Sequence, residues 1–546
     1  MDLKDLKNIV AAQLSKFGIK QEKAMLLVLM AMSFIMFFYR LGTPSLFETD
    51  EVIYSQVARE IVRTGDWMTP HLFSKEWFVH PPFYMWLTAL SSFIFGFSEF
   101  NARIWNAAFA IGLVYVTYLL GKKMFRDGVG LLAGFVLATS LQYLLQARMA
   151  VFDIPLVFFE MLSLLFFFYW LEDKLPKYYY LFFLSMGLAV LMKGPVGIVL
   201  PLSVMIVYLV FMNNLRALFN FRIIPGLITA YLVGGTWYTA EIMIHGRGFI
   251  DSIVGFYVAG RYLTAIESHY GPWYFYVPAV IIGFMPWICF LPYSITYQWK
   301  NRGDTDNLFS ILWMGTIFLF FTLAGTKLPG YIMSLYPLAA ISISKMIQDH
   351  LSGENSGLQL LLLRTYKTMV VFSAALLVIG ALIKVFQFPE MYDRVLVDVN
   401  IMLTLIGTGG ITASLWFFKK RDSAFPVIVL VVTMLVVSIY TANCTMVNLD
   451  RFKPMKAISK KINSQYMSSE VIIGYKVLNK GSFMHYLDKP IIWVGNIIDL
   501  REQLKLPEKI LLITNEKDFL GLGHDNRKSL FLVYKAGDMV LLSNQK

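Results

Sequence analysis

Long apolar runs, separated by short polar and basic segments, constrain the fold of this chain more than any other feature of its sequence. Of its 546 residues, 57% are hydrophobic and 15% are charged, and the mean hydropathy is +0.59. Apolar runs of this length and number are typical of an α-helical protein that crosses a membrane many times. The runs cover residues 24–38, 83–97, 104–120, 131–145, 154–171, 178–192, 196–212, 223–243, 273–294, 308–323, 332–347, 369–385, 401–418 and 424–440.

The distribution of Lys and Arg indicates how many of these runs cross the membrane. If all fourteen runs crossed, three basic clusters would lie outside, against the rule that positive charge stays in the cytoplasm. If the run at 83–97 instead lies along the outer face as a juxtamembrane helix, all three clusters return to the cytoplasm. We therefore predict thirteen spans and an outside C-terminus. The clusters are Lys122, Lys123 and Arg126; Lys300 and Arg302; and Lys419, Lys420 and Arg421.

Composition divides the chain into three parts. Residues 1–23 place apolar side chains at helical spacing among lysines, which predicts a cytoplasmic amphipathic helix on an anionic membrane surface. Residues 24–441 form the membrane domain. Residues 442–546 predict a small extracytoplasmic α/β domain, because strand-like runs alternate with polar or helix-compatible stretches. These strand-like runs are 471–475, 490–494, 510–514, 529–534 and 539–542.

Some classes of function lose support from the sequence. The net charge of +12 comes from short clusters between apolar runs, so it does not indicate nucleic-acid binding. The chain has no Walker A motif, no Cys-x-x-Cys pair and no His-Glu-x-x-His helix, which weakens ATP-driven transport and zinc-protease chemistry. No cofactor is assigned, and a bound divalent metal ion stays open as an alternative.

The first outer loop carries the densest group of acidic residues beside the membrane. Glu48, Asp50 and Glu51 fall within four residues, and the same polar segment ends at His80. Like charges raise one another's pKa, and poor solvation at a membrane face penalises them further. Such a group requires a cation, a proton or a substrate, although the start of a solvated loop is the plainer alternative.

With thirteen spans, most of the unusual polar residues next to apolar runs collect at the outer face. A weak ion pair between Arg148 and Asp153, or snorkelling of Lys193, would explain some of them without a site. Fixed cations suit a phosphate or pyrophosphate, however, and carboxylates suit a hydroxyl nucleophile or a developing oxocarbenium ion. The combination indicates a lipid-phosphate sugar. The residues are Asp50, Glu51, His80, Asp153, Lys193, Arg261, His269 and Lys327.

Short motifs follow in a fixed order between residues 30 and 345. They are Asp50-Glu51-x-x-Tyr54, His80-Pro81-Pro82, Arg148-Met149-Ala150-x-x-Asp153, Lys193-Gly194-Pro195 and Lys327-Leu328-Pro329-Gly330-Tyr331. This series resembles the bacterial 4-amino-4-deoxy-L-arabinose transferases. Those enzymes are GT-C glycosyltransferases, as are the protein O-mannosyltransferases. The chain departs from them in having Val79-His80 before Pro81 where they usually have Glu-Lys.

The resemblance implies a GT-C fold with thirteen spans, juxtamembrane helices in the first outer loop and a periplasmic C-terminal domain. It implies Asp50 as the principal catalytic carboxylate and Asp153 as a second acid, and we add Glu51 as a catalytic candidate. It implies that Arg261, Lys327 and Tyr331 hold the polyprenyl phosphate. We add His80 and Lys193 to the donor-phosphate site, and we assign Tyr54, Arg148 and His269 to substrate binding.

The leading hypothesis is a monomeric, inverting glycosyltransferase (class EC 2.4) in the inner membrane of a bacterium. It would move a sugar from a polyprenyl-phosphate donor to lipid A, or to another envelope lipid, glycan or protein, at the periplasmic face; a phosphate acceptor is an alternative. A flippase for a lipid-linked sugar is the competing hypothesis. Transporters usually show inverted repeats and polar residues near mid-membrane, whereas the charges here gather at one face.

Cysteine labelling tests the predicted topology, in a chain whose two native cysteines are replaced by Ser. We expect Lys122→Cys, Lys300→Cys and Lys419→Cys to be shielded from a membrane-impermeant thiol reagent added outside, because basic clusters stay in the cytoplasm. We expect Asp50→Cys to react. Labelling of position 419 from the outside would exclude the thirteen-span arrangement.

Overall fold

The structure is a computed structural model of the chain, and it describes most but not all residues. The predicted amphipathic helix at 1–23 lies almost wholly outside the described ranges, and so do the predicted site residues Arg261 and His269. The described ranges are 21–47, 50–213, 223–260, 270–353, 357–385, 393–466, 470–477, 480–487, 489–523 and 527–545.

Helices dominate the membrane part and follow the predicted apolar runs. Helix α4 shows why they begin and end where they do: the Ser98 side chain caps its first turn, Glu99 complements the helix dipole there, and Lys122 and Lys123 lie in its last turn. The first nine helices are α1 Gln21–Phe38, α2 Asp50–Thr64, α3 Phe83–Phe95, α4 Glu99–Met124, α5 Asp127–Ala138, α6 Leu141–Gln146, α7 Asp153–Asp173, α8 Pro176–Lys193 and α9 Val196–Phe211.

The second half of the membrane part contains more irregular helices. A π-helical turn, Tyr231–Gly235, joins α10 to α11, and a 3-10 helix, Pro329–Leu335, leads directly into α16. The helices are α10 Ile223–Ala230, α11 Thr236–His245, α12 Arg247–Ile250, α13 Tyr276–Gly283, α14 Leu291–Lys300, α15 Thr305–Leu323, α16 Tyr336–Leu351, α17 Leu358–Val385, α18 Asp393–Lys420, α19 Ala424–Tyr440 and α20 Met446–Leu449.

Fewer helices pass a length and composition criterion for spanning than the thirteen predicted. Among the described residues, eight helices are long and apolar enough to cross a membrane, or nine if α13 and the helical segment Trp287–Lys300 form one span with a 117° bend. Breaks inside predicted runs account for part of the difference. One example is run 131–145, which is divided between α5 and α6. The protein is therefore a multi-pass helical membrane protein, and the count of thirteen stays a prediction.

The run predicted to lie along the outer face forms a short helix. Helix α3 has 13 residues, which gives it a length of about 20 Å, less than the roughly 30 Å of a hydrocarbon core. Its buried face includes Tyr84, Met85 and Ala89, whereas Phe93 and Ile94 are 70% and 79% exposed. A helix of this length suits a position beside the membrane better than one across it.

Strands occur in two places. In the first outer loop, β1 (His71–Leu72) and β2 (Lys75–Glu76) form a small hairpin. The hairpin docks onto α2, because the Glu60 carboxylate accepts from the backbone N–H groups of Phe73 and Ser74 at 2.7 and 2.9 Å.

The other strands lie after residue 470, where the described residues form a five-stranded sheet in the order β4-β3-β5-β7-β6. Strands β3, β4 and β5 are parallel, and β6 and β7 are antiparallel to their neighbours. The strands overlap the five predicted runs closely. They are β3 Val471–Tyr475, β4 Ile491–Val494, β5 Ile510–Asn515, β6 Phe531–Ala536 and β7 Met539–Ser543, accompanied by α21 Met455–Gln465, α22 Lys480–Tyr486, α23 Ile497–Leu504 and α24 Glu516–Leu520.

A buried ion pair joins α2 to α4. Arg103 donates from Nε to Glu51 Oε1 at 2.8 Å and from Nη2 to Glu51 Oε2 at 2.7 Å, and both side chains are 1% exposed. The guanidinium also donates to the carbonyl oxygens of Leu41, Pro44 and Ser45 at 3.1, 2.7 and 3.0 Å. A single buried cation therefore holds the segment 41–45, which leads into α2.

Removing Arg103 should destabilise the protein strongly. We expect Arg103→Met to lower the free energy of unfolding by about 3–5 kcal/mol, because Glu51 would be left as a buried charge without its partner. The measurement is unfolding in detergent, followed by tryptophan fluorescence. The control is Arg63→Met at the exposed end of α2, the helix that carries Glu51, for which a change within about 0.5 kcal/mol is expected.

The pair should also show in the pH dependence of stability. Burial opposes the charge on Glu51, but the nearby Arg103 charge and its hydrogen bonds outweigh burial and lower the carboxyl pKa. The stabilisation should therefore be complete above the unfolded pKa of about 4.3 and be lost as the pH falls through the lowered folded value. If Arg103→Met and wild type differed equally at neutral and strongly acidic pH, the pair would not be the cause.

Candidate active site

An apolar cavity of about 370 Å³ lies between α7, α8, α15 and the segment around Pro329–Leu335. Aliphatic and aromatic side chains form most of its wall. Four residues assigned to the site from the sequence line it, namely His80, Asp153, Lys193 and Tyr331. A concave, mostly apolar wall with a few convergent polar groups is the usual form of a ligand site.

An ion pair between helix ends forms the polar wall of the cavity. Asp153 is the first residue of α7 and Lys193 the last residue of α8, positions at which each charge complements its helix dipole. The Lys193 ammonium donates to Asp153 Oδ1 and lies 5.0 Å from the centre of the Tyr331 ring. The two side chains are 12% and 15% exposed, so the pair is accessible from the cavity while its geometry is fixed.

Gly330 allows this pair to approach the chain around Tyr331. A Cβ atom at position 330 would lie 2.5 Å from Asp153 Oδ2 and 2.9 Å from Gln146 Nε2, which is closer than real contacts allow. The glycine of the Lys-Leu-Pro-Gly-Tyr motif is therefore required by packing against the Asp153 carboxylate.

Lys327 lies beside the cavity at the end of α15. Its Nζ donates to the carbonyl oxygens of Thr322 and Ala324, each at 2.7 Å, where the helix dipole favours a cation. Burial lowers the pKa of Lys327. Its neighbour Thr326 lines the cavity, so the Lys327 backbone lies next to the cavity wall.

Aromatic rings separate the cavity from α2. The Tyr54 ring stacks on Phe152 with 4.0 Å between ring centres, and the His80 ring meets Phe152 edge-on at 4.9 Å. Tyr54 is only 7% exposed and does not line the cavity. Its position indicates that it supports His80 rather than contacting a ligand in this conformation.

Two predicted site residues have roles in holding the backbone. Glu51 accepts from the backbone N–H groups of Phe47 and Ala150 at 2.9 and 2.7 Å, in addition to its two bonds with Arg103. Arg148 donates to the carbonyl oxygens of Met36 and Tyr39 at 2.8 and 2.7 Å. Both side chains therefore hold backbone groups in this structure, and the catalytic role of Glu51 and the substrate contact of Arg148 stay predictions.

Asp50 begins α2 and is exposed. It does not line the cavity, but the next residue, Glu51, is anchored to Arg103, which fixes the first turn of the helix. Asp50 is therefore an exposed residue on a helix turn that the Glu51–Arg103 pair holds in place.

Sequence reasoning missed Glu160. This carboxylate is fully buried and accepts from Ser334 Oγ at 2.6 Å, and Ser334 lines the cavity. It lies inside the run 154–171, seven residues after Asp153 and hence on the same helix face. That spacing, together with the presence of a carboxylate in an apolar run, is the signal that could have found it.

The described residues offer no obvious metal centre. Within those ranges, no group of three or more His, Cys, Asp or Glu side chains is arranged to hold a metal ion.

Gly330→Ala should disturb the site while leaving the fold intact. We expect the new methyl group to push the Asp153 carboxylate away from Lys193, and displacements of about 1 Å at a reacting centre cost up to about 100-fold in rate. The measurement is the turnover of the wild-type reaction in detergent. The control is Gly315→Ala in α15, where a Cβ atom would meet nothing within 4 Å. Equal turnover in the two variants would contradict the packing role.

Comparison with known proteins supports the resemblance seen in the motifs. The model of the dolichyl-phosphate-mannose-protein mannosyltransferase family matches residues 79–235. Undecaprenyl phosphate-alpha-4-amino-4-deoxy-L-arabinose arabinosyl transferase 1 of Pseudomonas fluorescens is 29% identical over 58% of this chain and 58% of its own length. The corresponding transferase of Pseudomonas aeruginosa strain UCBPP-PA14 is 26% identical over 71% of this chain and 70% of its own length.

Solved structures show the same fold. The crystal structure of ArnT from Cupriavidus metallidurans bound to undecaprenyl phosphate covers 95% of this chain and 98% of its own, with a TM-score of 0.79 and 21% identity. An oligosaccharyltransferase from Archaeoglobus fulgidus, tethered to an acceptor peptide, covers 91% of this chain and 69% of its own, with a TM-score of 0.51 and 12% identity. The predicted resemblance to GT-C glycosyltransferases is therefore confirmed.

Proposed function

We propose that this chain, which resembles the 4-amino-4-deoxy-L-arabinose transferases, is an integral-membrane glycosyltransferase. It transfers one sugar from a polyprenyl-phosphate carrier to lipid A or another envelope acceptor at the periplasmic face of the inner membrane. The observation that carries this proposal is the apolar cavity whose polar wall is the Asp153–Lys193 pair. An apolar cavity suits a lipid carrier, and a fixed cation at its polar wall suits the phosphate of that carrier.

The donor phosphate is held by cations around this cavity. Lys193 and His80 line the wall, and Tyr331 lies against the Lys193 ammonium. Lys327 joins them from the end of α15, and Arg261, which lies outside the described residues, is the remaining cation proposed for this site. Positive charge fixed beside the carrier phosphate stabilises the negative charge that develops as this group leaves.

Asp50 acts on the acceptor. As a carboxylate it accepts the proton of an acceptor hydroxyl, or it orients an acceptor that is itself a phosphate. Direct displacement by the acceptor inverts the configuration at the sugar carbon. Asp153, at the polar wall of the cavity, is the second acid, and Arg148 and His269 are proposed to bind the substrate.

We also propose how the chain is arranged in the membrane. Thirteen spans, with α3 at the outer surface, put the acidic and basic site residues and the C-terminal domain in the periplasm. The support is the agreement between the basic clusters and the short length of α3. A monomer surrounded by membrane lipids is sufficient for this site.

The competing hypothesis was a flippase for a lipid-linked sugar. The named relatives reported above are transferases, and none of them is a flippase. The charges that would bind the substrate also lie at helix ends on one side of the molecule, rather than midway along the helices. The transferase is therefore the better-supported function.

Asp50→Asn provides the direct test. The amide keeps the size of the side chain but cannot accept a proton, so we expect transfer to fall by about 10²- to 10⁴-fold, the range typical of a lost general base. Carrier binding should be unchanged, because the cations around the cavity remain. The measurement is single-turnover sugar transfer in detergent, where there are no compartments for transport to connect.

Glu48→Gln is the matched control, since it neutralises a carboxylate two residues earlier in the same outer loop. Transfer by Asp50→Asn at the wild-type rate would move the catalytic role to Asp153. If wild-type protein transferred no sugar in detergent but moved the intact lipid-linked sugar between leaflets of proteoliposomes, the flippase hypothesis would replace the proposal.

A further inference from the structure

The segment that leads into α2 is held from two sides. On one side Arg103 binds the carbonyl oxygens of Leu41, Pro44 and Ser45. This side supplies donors only, so it cannot satisfy the backbone N–H groups of the segment. Ser45 and Leu46 are 2% and 1% exposed, and buried N–H groups at such positions require acceptors.

The acceptors come from the C-terminal part of the chain. Asp450 accepts from the backbone N–H and the hydroxyl group of Ser45 at 2.9 and 2.7 Å. The Tyr486 hydroxyl accepts from the backbone N–H of Leu46 at 2.9 Å and donates to Glu99 Oε1 at 3.2 Å. Lys453 donates to the Ser45 carbonyl at 3.1 Å. We call Asp450, Lys453 and Tyr486 the C-terminal clamp.

The C-terminal part also contacts α2 itself. Arg59, on the second half of that helix, donates to the carbonyl oxygen of His485 at 2.7 Å. Lys456 pairs with Glu99 in the first turn of α4. The contacts of the clamp are thus continuous with a larger interface between the C-terminal residues and the helices that carry Asp50 and Arg103.

We propose that the C-terminal clamp positions Asp50 for sugar transfer, so that Asp450 and Tyr486 are positioning residues for the reaction. This inference rests on the proposed function. The clamped residues Ser45 and Leu46 lie five and four positions before Asp50 in the chain, while Glu51, immediately after it, is held by Arg103. Asp50 is therefore placed by two anchors, one on each side of it, and the clamp is the anchor contributed by the C-terminal residues.

The two anchors bind different backbone groups of the segment. Arg103 binds carbonyl oxygens, whereas Asp450 and Tyr486 accept from the N–H groups of Ser45 and Leu46, so loss of these two side chains would leave buried N–H donors without acceptors. An unsatisfied buried donor favours local opening. Opening at Ser45 and Leu46 would let the first turn of α2 move while the cavity, the cations and the carrier site stay intact.

The test uses two variants of the full chain with matched controls. Asp450→Ala removes the acceptor for Ser45, and Tyr486→Phe removes the hydroxyl group while keeping the ring. Glu502→Ala on exposed α23 and Tyr534→Phe in β6 make the same chemical changes away from the clamp. Asp450→Asn keeps an acceptor oxygen. If positioning is the cause, this variant should retain part of the amide protection and of the kcat that Asp450→Ala loses.

The first measurement is amide hydrogen exchange, which requires no donor or acceptor. We expect the Ser45 and Leu46 amides to exchange at least about tenfold faster in both clamp variants. The amides of β3 and β5 should be unchanged, which shows that the sheet is still folded. Unchanged exchange at Ser45 and Leu46 would overturn the proposal.

The second measurement separates kcat from KM in detergent. We expect kcat to fall by about 10- to 100-fold in the clamp variants, with KM for the polyprenyl-phosphate sugar changed by no more than about twofold, because the carrier site is untouched. Wild-type kcat in both clamp variants would overturn the clamp and leave the transferase standing. If wild-type protein transferred no sugar at all, the proposed function would fail and the clamp proposal would fall with it.

Discussion

The buried ion pair between Glu51 and Arg103 is the interaction on which the outer part of the structure depends. Each charge would be costly alone in a site that is 1% exposed. Glu51 is satisfied by four donors and Arg103 by two carboxylate oxygens and three carbonyls. These partners come from the segment between α1 and α2, the start of α2, the second turn of α4 and the turn before α7, so one ion pair with its hydrogen bonds holds four separate pieces of chain.

The charged groups of the cavity also depend on local stabilisation, in this case by helix ends. Asp153 begins α7, Lys193 ends α8, and Lys327 follows the last turn of α15. Helix termini present unsatisfied N–H or C=O groups and partial charge, so a side chain there can be charged beside an apolar wall. The result is a cavity that is apolar along most of its surface and strongly polar at one margin.

Much of this could be predicted from the sequence, because the motif residues lie where apolar runs end and the topology brings those ends together. Asp153, Lys193 and His80 were assigned from that pattern and Tyr331 from the family resemblance, and all four line one cavity. The strands near the C-terminus were predicted because short strand-like runs separated by polar stretches can be recognised locally in the chain.

What could not be predicted depends on distant partners. In the sequence, Arg103 is a charge that immediately precedes the apolar run 104–120. Only the packing of α2 against α4 shows that Glu51 is its partner. The bend of 117° after α13 falls at Gly283 and Pro286, which could have indicated a break in the apolar run but not its angle. The same limit applies to Glu160, whose partner Ser334 comes from another helix 174 positions away.

The contact between Ser45 and Asp450 spans 405 positions of the chain, and this separation has a consequence for biosynthesis. Arg103 emerges soon after the segment that it holds, so that half of the support can form while most of the protein is still being made. The remaining half becomes available only when the last hundred or so residues have been synthesised and translocated, since a contact cannot precede its partner. A chain that ends before Asp450 therefore lacks one of the two supports of Ser45, although Arg103 is already present.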